Sequence, residues 1–375
     1  VFLVFFADCG SRSERRGLAI MHPVSGLLST RFFGSLVGLM LVVHGRVAPA
    51  DDLTPRPTMG EIVRLDPAID ALLPADAAAE VLAAGLDWSE GPVWVPKAEG
   101  QPAGGGYVVF SDVPQNKAYK WREGEGLSVF LEPSGYTGLP GYSGEPGSNG
   151  LNLTAAGEIV FCEHGDRRVS VLTRGGGKRT LADAFEGRRF NSPNDCAIDA
   201  RGNIYFTDPP YGLPEGPKDT KTRQIAWHGV YRIAPDGKVT LLTKEMTFPN
   251  GIALSPDDKT LYVAQSDAKA ALWKAFPINA DGTLGPSRTI ADVTAMVGGH
   301  RGLPDGLETD ASGNLWATGP GGVHVMTPAG RLLGRIDTKM ACGNCCFGGD
   351  DGSWLYVCSD AFLVRVRTKV RGRGF

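Results

Sequence analysis

The chain has 375 residues, with 38 Lys and Arg against 41 Asp and Glu, 51 Gly and 26 Pro. A formal net charge of −3 gives no support for nucleic acid or an anionic membrane surface as a partner. Long amphipathic helical patterns are scarce, and short β-rich runs bounded by Gly, Asp, Asn or Pro are abundant, which predicts an all-β chain.

In chain order, the first element is an export segment. From Met21 the sequence reads MHPVSGLLSTR, then the apolar run FFGSLVGLMLVV, then HGRVAPA with small residues at Ala48 and Ala50. This matches a secretory signal peptide cleaved after Ala50, and predicts a periplasmic or secreted protein. The apolar run is short for a membrane span, so no stable insertion is expected after cleavage. Residues 1–20, with Val first, read as lying upstream of the true start at Met21. Residues 1–50 hold five Arg and two acids, so the remaining chain carries 33 basic and 39 acidic residues, net −6.

Residues 51–86 form a lead with two strand-like runs, EIVRL (61–65) and AEVLAAG (79–85). From residue 87 to 368 a pattern repeats. SNGLNLTAAGEIVFCEH starts at Asn149, SPNDCAIDARGNIYFTD at Asn194, FPNGIALSPDDKTLYVAQS at Asn250, LPDGLETDASGNLWATG at Asp305 and GNCCFGGDDGSWLYVCS at Asn344. Eight residues after each polar start comes a turn residue (Gly157, Gly202, Asp258, Gly313, Gly352), then a second apolar strand. SEGPVWVP supplies an earlier start at Glu90, followed by the Gly-rich excursion KAEGQPAGGG before YVVFSD.

Starts separated by 59, 45, 56, 55 and 39 residues predict a six-bladed β-propeller. One repeat cannot cover both faces of its own sheet, and radial stacking covers them. The hairpins HGVYRIAPDGKVTLLT and GGVHVMTPAGRLLGRI are expected as outer strands, and a strand of the lead is expected to close the ring on the last blade. The tail at 369–375 is basic and is expected to be a short solvated end.

In a propeller the innermost strands line the axis, so Glu90, Asn149, Asn194, Asn250, Asp305 and Asn344 should converge there. All six are oxygen donors. An Asn-Gly or Asp-Gly turn could recur simply because the fold recurs. Carboxylates in a dry channel, however, call for a cation. With two carboxylates and no Cys or His, the set favours Ca²⁺, then Mg²⁺ or Mn²⁺, over structural Zn²⁺. The CGNCC cluster lacks a second CxxC or a His pair, so the six cysteines after residue 50 read as buried thiols, with at most a local bridge.

The segments SEGPVW, NSPNDCAID, FTDPPYG, FPNGIALSPDDKTLYVA, LPDGLETDASGNLWATGPGG and NCCFGGDDGSWLYV carry a resemblance. The chain resembles the gluconolactonase / senescence-marker-protein / luciferin-regenerating family of six-bladed propellers, and is most similar to its bacterial gluconolactonases. The resemblance implies one divalent cation at the channel mouth, with Glu90, Asn194, Asn250 and Asp305 as ligands and Asp305 as general base. It implies hydrolysis of a sugar lactone to the aldonic acid. Asn149 and Asn344 share the ring and are second-tier candidates for water or substrate. Vertebrate members often carry Arg two residues before the third of these ring positions; here that residue is Ser192.

Other polar residues are expected around this centre. His300 and Arg301 could stand at the rim and touch sugar hydroxyls. Asp208 and Tyr211 precede the polar insertion EGPKDTKTR, a candidate lid. His164 reads as a hydrogen-bonded structural histidine, and Trp88, Trp94, Trp273, Trp316 and Trp354 as blade packing. There is no GxSxG elbow. The alternatives are a related metal-dependent propeller hydrolase acting on other lactones or organophosphates, and a non-catalytic secreted propeller that binds a sugar or protein. A metal-free strictosidine-synthase-like propeller has no use for Glu90 together with Asp305.

Overall fold

A computed structural model describes residues 55–97, 105–139 and 141–375. The segment expected to direct export and most of the Gly-rich excursion lie outside the described residues. The remainder is a six-bladed β-propeller, as the repeat predicts.

Each blade is an antiparallel sheet, and in blades 1 to 4 its first strand in the chain is innermost. Blade 1 comprises Ser89–Val95, Tyr107–Asp112, Lys117–Arg122 and Gly126–Leu131. Blade 2 comprises Ser148–Leu153, Ile159–Glu163, Arg168–Leu172 and Lys178–Ala182. Blade 3 runs through Cys196–Ile198, Ile204–Asp208, Gly229–Ile233 and Val239–Thr243. Blade 4 runs through Pro249–Leu254, Thr260–Asp267, Ala270–Pro277 and Arg288–Asp292. Both outer hairpins expected from the sequence form, the second as Gly322–Met326 and Leu332–Asp337 of blade 5.

Closure uses both strands of the lead, on two different blades. Ala79–Ala84 pairs with Phe362–Arg367 and completes blade 6, as expected for AEVLAAG. Glu61–Arg64 instead extends blade 5, with Ile62 opposite Ile336. Between them a 3₁₀ turn, Pro67–Ala71, is capped by Asp66 and buries Ile69 fully. Ile69 packs with Trp316, Leu333, Leu355 and Val357, so the lead staples blades 5 and 6 together.

The core is a set of seams. Val109 and Phe161 meet between blades 1 and 2, Cys162 and Phe206 between 2 and 3, and Tyr205 and Val263 between 3 and 4. Trp273 meets Leu315 between blades 4 and 5, Trp316 meets Val357 between 5 and 6, and Phe110 meets Tyr356 between 6 and 1. All six described cysteines are free and buried, and no local bridge forms among them.

The basic tail does not hang in solvent. Ala311 N donates to Arg371 O, Gly372 N to Gly352 O, and Arg373 N to Thr309 O, each at 2.9–3.0 Å. The Arg373 guanidinium pairs with Asp258 and reaches Ile198 O at 3.2 Å. The tail therefore ties together the turns of blades 3 to 6 that follow the innermost strands, at the end of those strands remote from the ring residues.

Candidate metal and active site

The innermost strands break register where the ring residues sit. The ladders shift between Glu90 and Val93, between Ser148 and Leu151, between Pro249 and Ile252, and between Cys342 and Asn344. In blades 3 and 5 pairing starts only at Cys196 and Leu307, after Asn194 and Asp305. A bulge, or an approach outside the regular ladder in which Asn194 N still donates to Thr207 O at 2.9 Å and Asp305 N to Thr318 O at 3.1 Å, frees the side chain from the sheet faces and re-aims it.

Neighbouring ring positions then interlock. The residue after each polar start is Gly91, Gly150, Gly251 and Gly306 in four blades. A Cβ on Gly91 would overlap Asn149 O, and one on Gly251 would overlap Asp305 O. Gly150 N donates to Asn194 O at 2.7 Å and Gly306 N to Gly343 O at 2.8 Å. A second belt comes from hydroxyls on the adjoining strands. Ser111 donates to Asn149 O at 2.9 Å, Thr207 to Asn250 O at 2.6 Å, Thr318 to Gly343 O at 2.9 Å, and Ser266 to Pro304 O.

The acids that follow these hydroxyls clamp the incoming loops. Asp112 accepts from the backbone of Asp87 and Trp88 ahead of Glu90. Asp208 accepts from Asn191 N and Ser192 N, at 2.9 and 2.8 Å, ahead of Asn194. Asp267 accepts from Thr247 Oγ1 at 2.7 Å ahead of Asn250. Asp208 is therefore a fully buried loop anchor rather than part of a lid.

Within this frame the Asn250 amide has one available orientation, and the Asn194 amide meets a buried imidazole. Asn250 Nδ2 donates to Ser266 Oγ at 2.8 Å, and Asn250 Oδ1 is buried without a hydrogen-bond donor. Asn194 Nδ2 lies 3.3 Å from Nε2 of His164, which is fully buried. His164 is hydrogen-bonded, as expected, but its partner is a ring residue that it orients.

Glu90, 2% exposed, accepts from Trp88 Nε1 at 3.3 Å on Oε1 and from Gly91 N at 3.0 Å on Oε2. Trp88 thus belongs to the site and not to blade packing; Trp94, Trp273, Trp316 and Trp354 do pack in seams. Burial raises the Glu90 carboxyl above its ordinary range, and the neighbouring Asp195 carboxylate adds to the shift. Burial likewise raises Asp305 well above a normal carboxyl, reinforced by Glu90, then Asp195, then Glu145. The charged groups acting most strongly on both are all acidic. Such a set is stable as carboxylates only with a cation among them.

A hard divalent cation fits this donor set of two carboxylates and two amides, one of whose oxygens, Asn250 Oδ1, is buried without a donor. Among the described residues no three His, Cys, Asp or Glu side chains cluster closely enough to hold a metal by themselves. Half of the proposed set is amide, so carboxylates alone do not reveal it.

Asn149 and Asn344 also lie in the ring and are 4% and 5% exposed. Asn344 Oδ1 accepts from Cys345 N at 2.8 Å. Tyr211 stacks on Phe248, with ring centroids 6.1 Å apart, and its hydroxyl is buried without a hydrogen-bond partner among the described residues. His300 and Arg301 are exposed on the blade 5 rim, where Arg301 rests 3.9 Å from Met340 Sδ. Ser192 is fully buried and faces Pro209 O (2.6 Å) and Gly212 N (3.0 Å), tying down the insertion loop.

Two acids escaped the sequence reading. Asp195 stands where four other blades have Gly; it accepts from Cys196 N and Ile252 N, and burial pushes its carboxyl up to about 6. The departure from the Gly pattern was its one signal. Glu145 lies in a loop between blades and had none.

Residues 88–361 match the family model described as SMP-30/Gluconolactonase/LRE-like region. The chain belongs to this family. Along 373 aligned residues it is 36% identical to the gluconolactonase of Zymomonas mobilis subsp. mobilis, covering 96% of this chain and 98% of that one. A solved gluconolactonase structure from Xanthomonas campestris is 32% identical with a TM-score of 0.70, covering 84% of this chain and 97% of that one. The calcium-binding regucalcin of Agrobacterium tumefaciens superposes with a TM-score of 0.61 at 21% identity, over 79% of this chain and 95% of that one, a likeness of fold alone. The family match begins at Trp88 and so takes in the Glu90 strand, while the Zymomonas alignment extends well beyond the propeller repeats.

Proposed function

We propose that this SMP-30/gluconolactonase-family chain is a lactonase that hydrolyses sugar lactones to aldonic acids with a divalent cation held by Glu90, Asn194, Asn250 and Asp305. Calcium is the preferred ion, because every donor is a hard oxygen, with Mg²⁺, Mn²⁺ or Zn²⁺ as substitutes. The gluconolactonases of Zymomonas and Xanthomonas support the reaction class. The observation that carries the site is the Asn250 amide, whose NH₂ donates to Ser266 while its Oδ1 is buried with no donor.

When bound, the cation supplies positive charge at the channel mouth that stabilises negative charge growing on the lactone carbonyl oxygen. Asp305 is the group placed to take the proton of the attacking water, being less buried than Glu90 and without a side-chain donor fixing its oxygens. Glu90, pinned by Trp88 and Gly91, balances charge. Tyr211, Asn149 and Asn344 line the approach as substrate contacts. The alkoxide released by ring opening takes the proton held by Asp305. An ester needs no nucleophilic triad for this sequence of steps. The signal-like pattern of residues 21–50 supports a reaction in the periplasm or outside the cell.

The test is hydrolysis of D-glucono-1,5-lactone by wild type and Asp305→Ala, with and without EDTA, alongside a phosphotriester. Hydrolysis of the lactone that is lost on chelation, restored by calcium and abolished in Asp305→Ala supports the reading. A faster phosphotriester reaction at the same site would replace the substrate, and full activity in EDTA would remove the metal.

A further inference from the structure

The loop leading into blade 2 is clasped by the insertion loop of blade 3. The Tyr142 hydroxyl donates to Gly212 O, and Ser143 Oγ donates to Pro214 O at 2.7 Å. Tyr136 and Tyr142 pack with centroids 4.5 Å apart on the same loop, and Asn116 Oδ1 accepts from the backbone of Gly135 and Tyr136 at 2.9 and 3.1 Å. Two chain segments therefore hold Glu145 in place although it lies in no strand.

Glu145 Oε2 is 3.5 Å from His164 Nδ1, and Nε2 of the same imidazole touches Asn194. His164 Nδ1 is buried and makes no hydrogen bond. Gly212 must be glycine because the His164 ring lies where a Cβ would stand. The imidazole is thus wedged between the clasped loops and the ring. Through the His164 imidazole the Glu145 carboxylate stands one ring's width from Asn194, and its charge contributes in a minor way to the raised carboxyls of Glu90 and Asp305. Its side chain is 36% exposed, and among the described residues it forms an ion pair with His164 alone.

A carboxylate in this position adds to the acid repulsion in the ring, so it does not serve to balance charge there. An ionised carboxylate offers only acceptors, in two oxygens with about four lone-pair directions. Neighbouring hydroxyls on one sugar ring present donors at matching spacing, and hydrogen bonds to a charged acceptor are the stronger kind. A lactone ring without hydroxyls has nothing to offer it.

Resting on the lactonase reading, we propose that Glu145 is a specificity-determining residue, which accepts hydrogen bonds from the hydroxyls of a bound sugar lactone and so selects polyhydroxylated lactones over aliphatic ones. The insertion loop takes part by holding Glu145 at the mouth.

The test compares kcat/KM for D-glucono-1,5-lactone and δ-valerolactone, which share a six-membered lactone ring and differ in their hydroxyls. Wild type, Glu145→Gln and Glu145→Ala are measured, with circular dichroism and Tm as controls for folding. In both variants kcat/KM for the glucono-lactone is expected to fall about 10–100-fold, mostly through KM, while δ-valerolactone changes less than about twofold. An equal fall for both substrates would make Glu145 a support of the ring and overturn the proposal. No change for either would overturn it as well. Wild type inactive on both lactones would fail the lactonase reading itself, whereas hydrolysis of both with an unchanged preference in the variants fails only the selectivity.

Discussion

Asn250 Nδ2 donates to Ser266 Oγ at 2.8 Å, and this bond fixes which end of the amide faces the channel. Ser266 in turn donates to Pro304 O in the next blade, immediately before Asp305. One hydroxyl therefore sets the direction of one proposed ligand and the backbone entry of another. Replacing Ser266 by Ala should weaken calcium binding about 10–100-fold, the usual cost of losing an outer-shell partner, with the fold intact. Isothermal titration with calcium checks it; unchanged affinity would mean that the amide direction is set elsewhere.

Asp305→Asn keeps the size of the side chain and an amide oxygen for the cation but removes the base. The expected result is a loss of about 10²–10⁴ in kcat with calcium binding weakened far less. A kcat within about threefold of wild type would move the proton transfer to another group.

Gly251→Ala places a methyl group against Asp305 O at the junction of blades 4 and 5. Overpacking of this kind costs about 1–3 kcal/mol. The loss of activity should exceed what the drop in Tm explains, because the shifted atoms carry Asp305. Gly237, in an exposed turn with a positive φ and open space at its Cβ, is the control; Gly237→Asn should leave activity unchanged.

The pH dependence of stability follows from the raised acids. Burial lifts Asp195 to about 6 and Glu308 to about 7, and lifts Glu90 and Asp305 as well. The folded chain therefore keeps protons that the unfolded chain releases above about pH 4, so these groups contribute stability at low pH that is lost as pH rises toward 7 and beyond. Cations compete with those protons. Calcium should raise Tm more at pH 8 than at pH 5, and metal-free Glu308→Gln should gain on wild type as pH rises over that interval. Thermal melts across the range decide; an equal calcium shift at both pH values would contradict the assignment.

Removing residues 371–375 breaks three backbone hydrogen bonds and the Arg373 contacts to Asp258 and Ile198. At roughly 1 kcal/mol per bond, the truncated protein should lose about 2–4 kcal/mol. Activity at low temperature should persist, because the tail joins turns remote from the ring. A stability equal to that of the full chain would return the tail to the solvated end suggested by its composition.

The repeat made the blades legible, since its period and its polar starts follow directly from stacking identical sheets. The outer hairpins were legible because Asp-Gly and Ala-Gly turns are local signals. Placing EIVR on blade 5 was not, because strand partners at the edge depend on where the Pro67–Ala71 turn steers the chain. The tail was misread for a related reason: its basic composition says nothing of Asp258, which lies more than a hundred residues earlier. The six ring positions were visible as a register. Their orienting partners were half visible: the hydroxyl-acid pairs Ser111-Asp112, Thr207-Asp208 and Ser266-Asp267 recur at strand ends, but a strand end is also where turn residues gather. Trp88 looked like packing because its indole partner, Glu90, lies only two residues away within the same motif. Glu145 sits outside the repeat, and only the clasp between two loops brings it to the mouth.

The most direct measurement is the anomalous signal of calcium in crystals of the calcium-loaded protein. One peak is expected on the propeller axis, about 2.3–2.6 Å from side-chain oxygens of Glu90, Asn194, Asn250 and Asp305. Calcium bound elsewhere, or a peak that none of these four residues touches, would contradict the proposed centre.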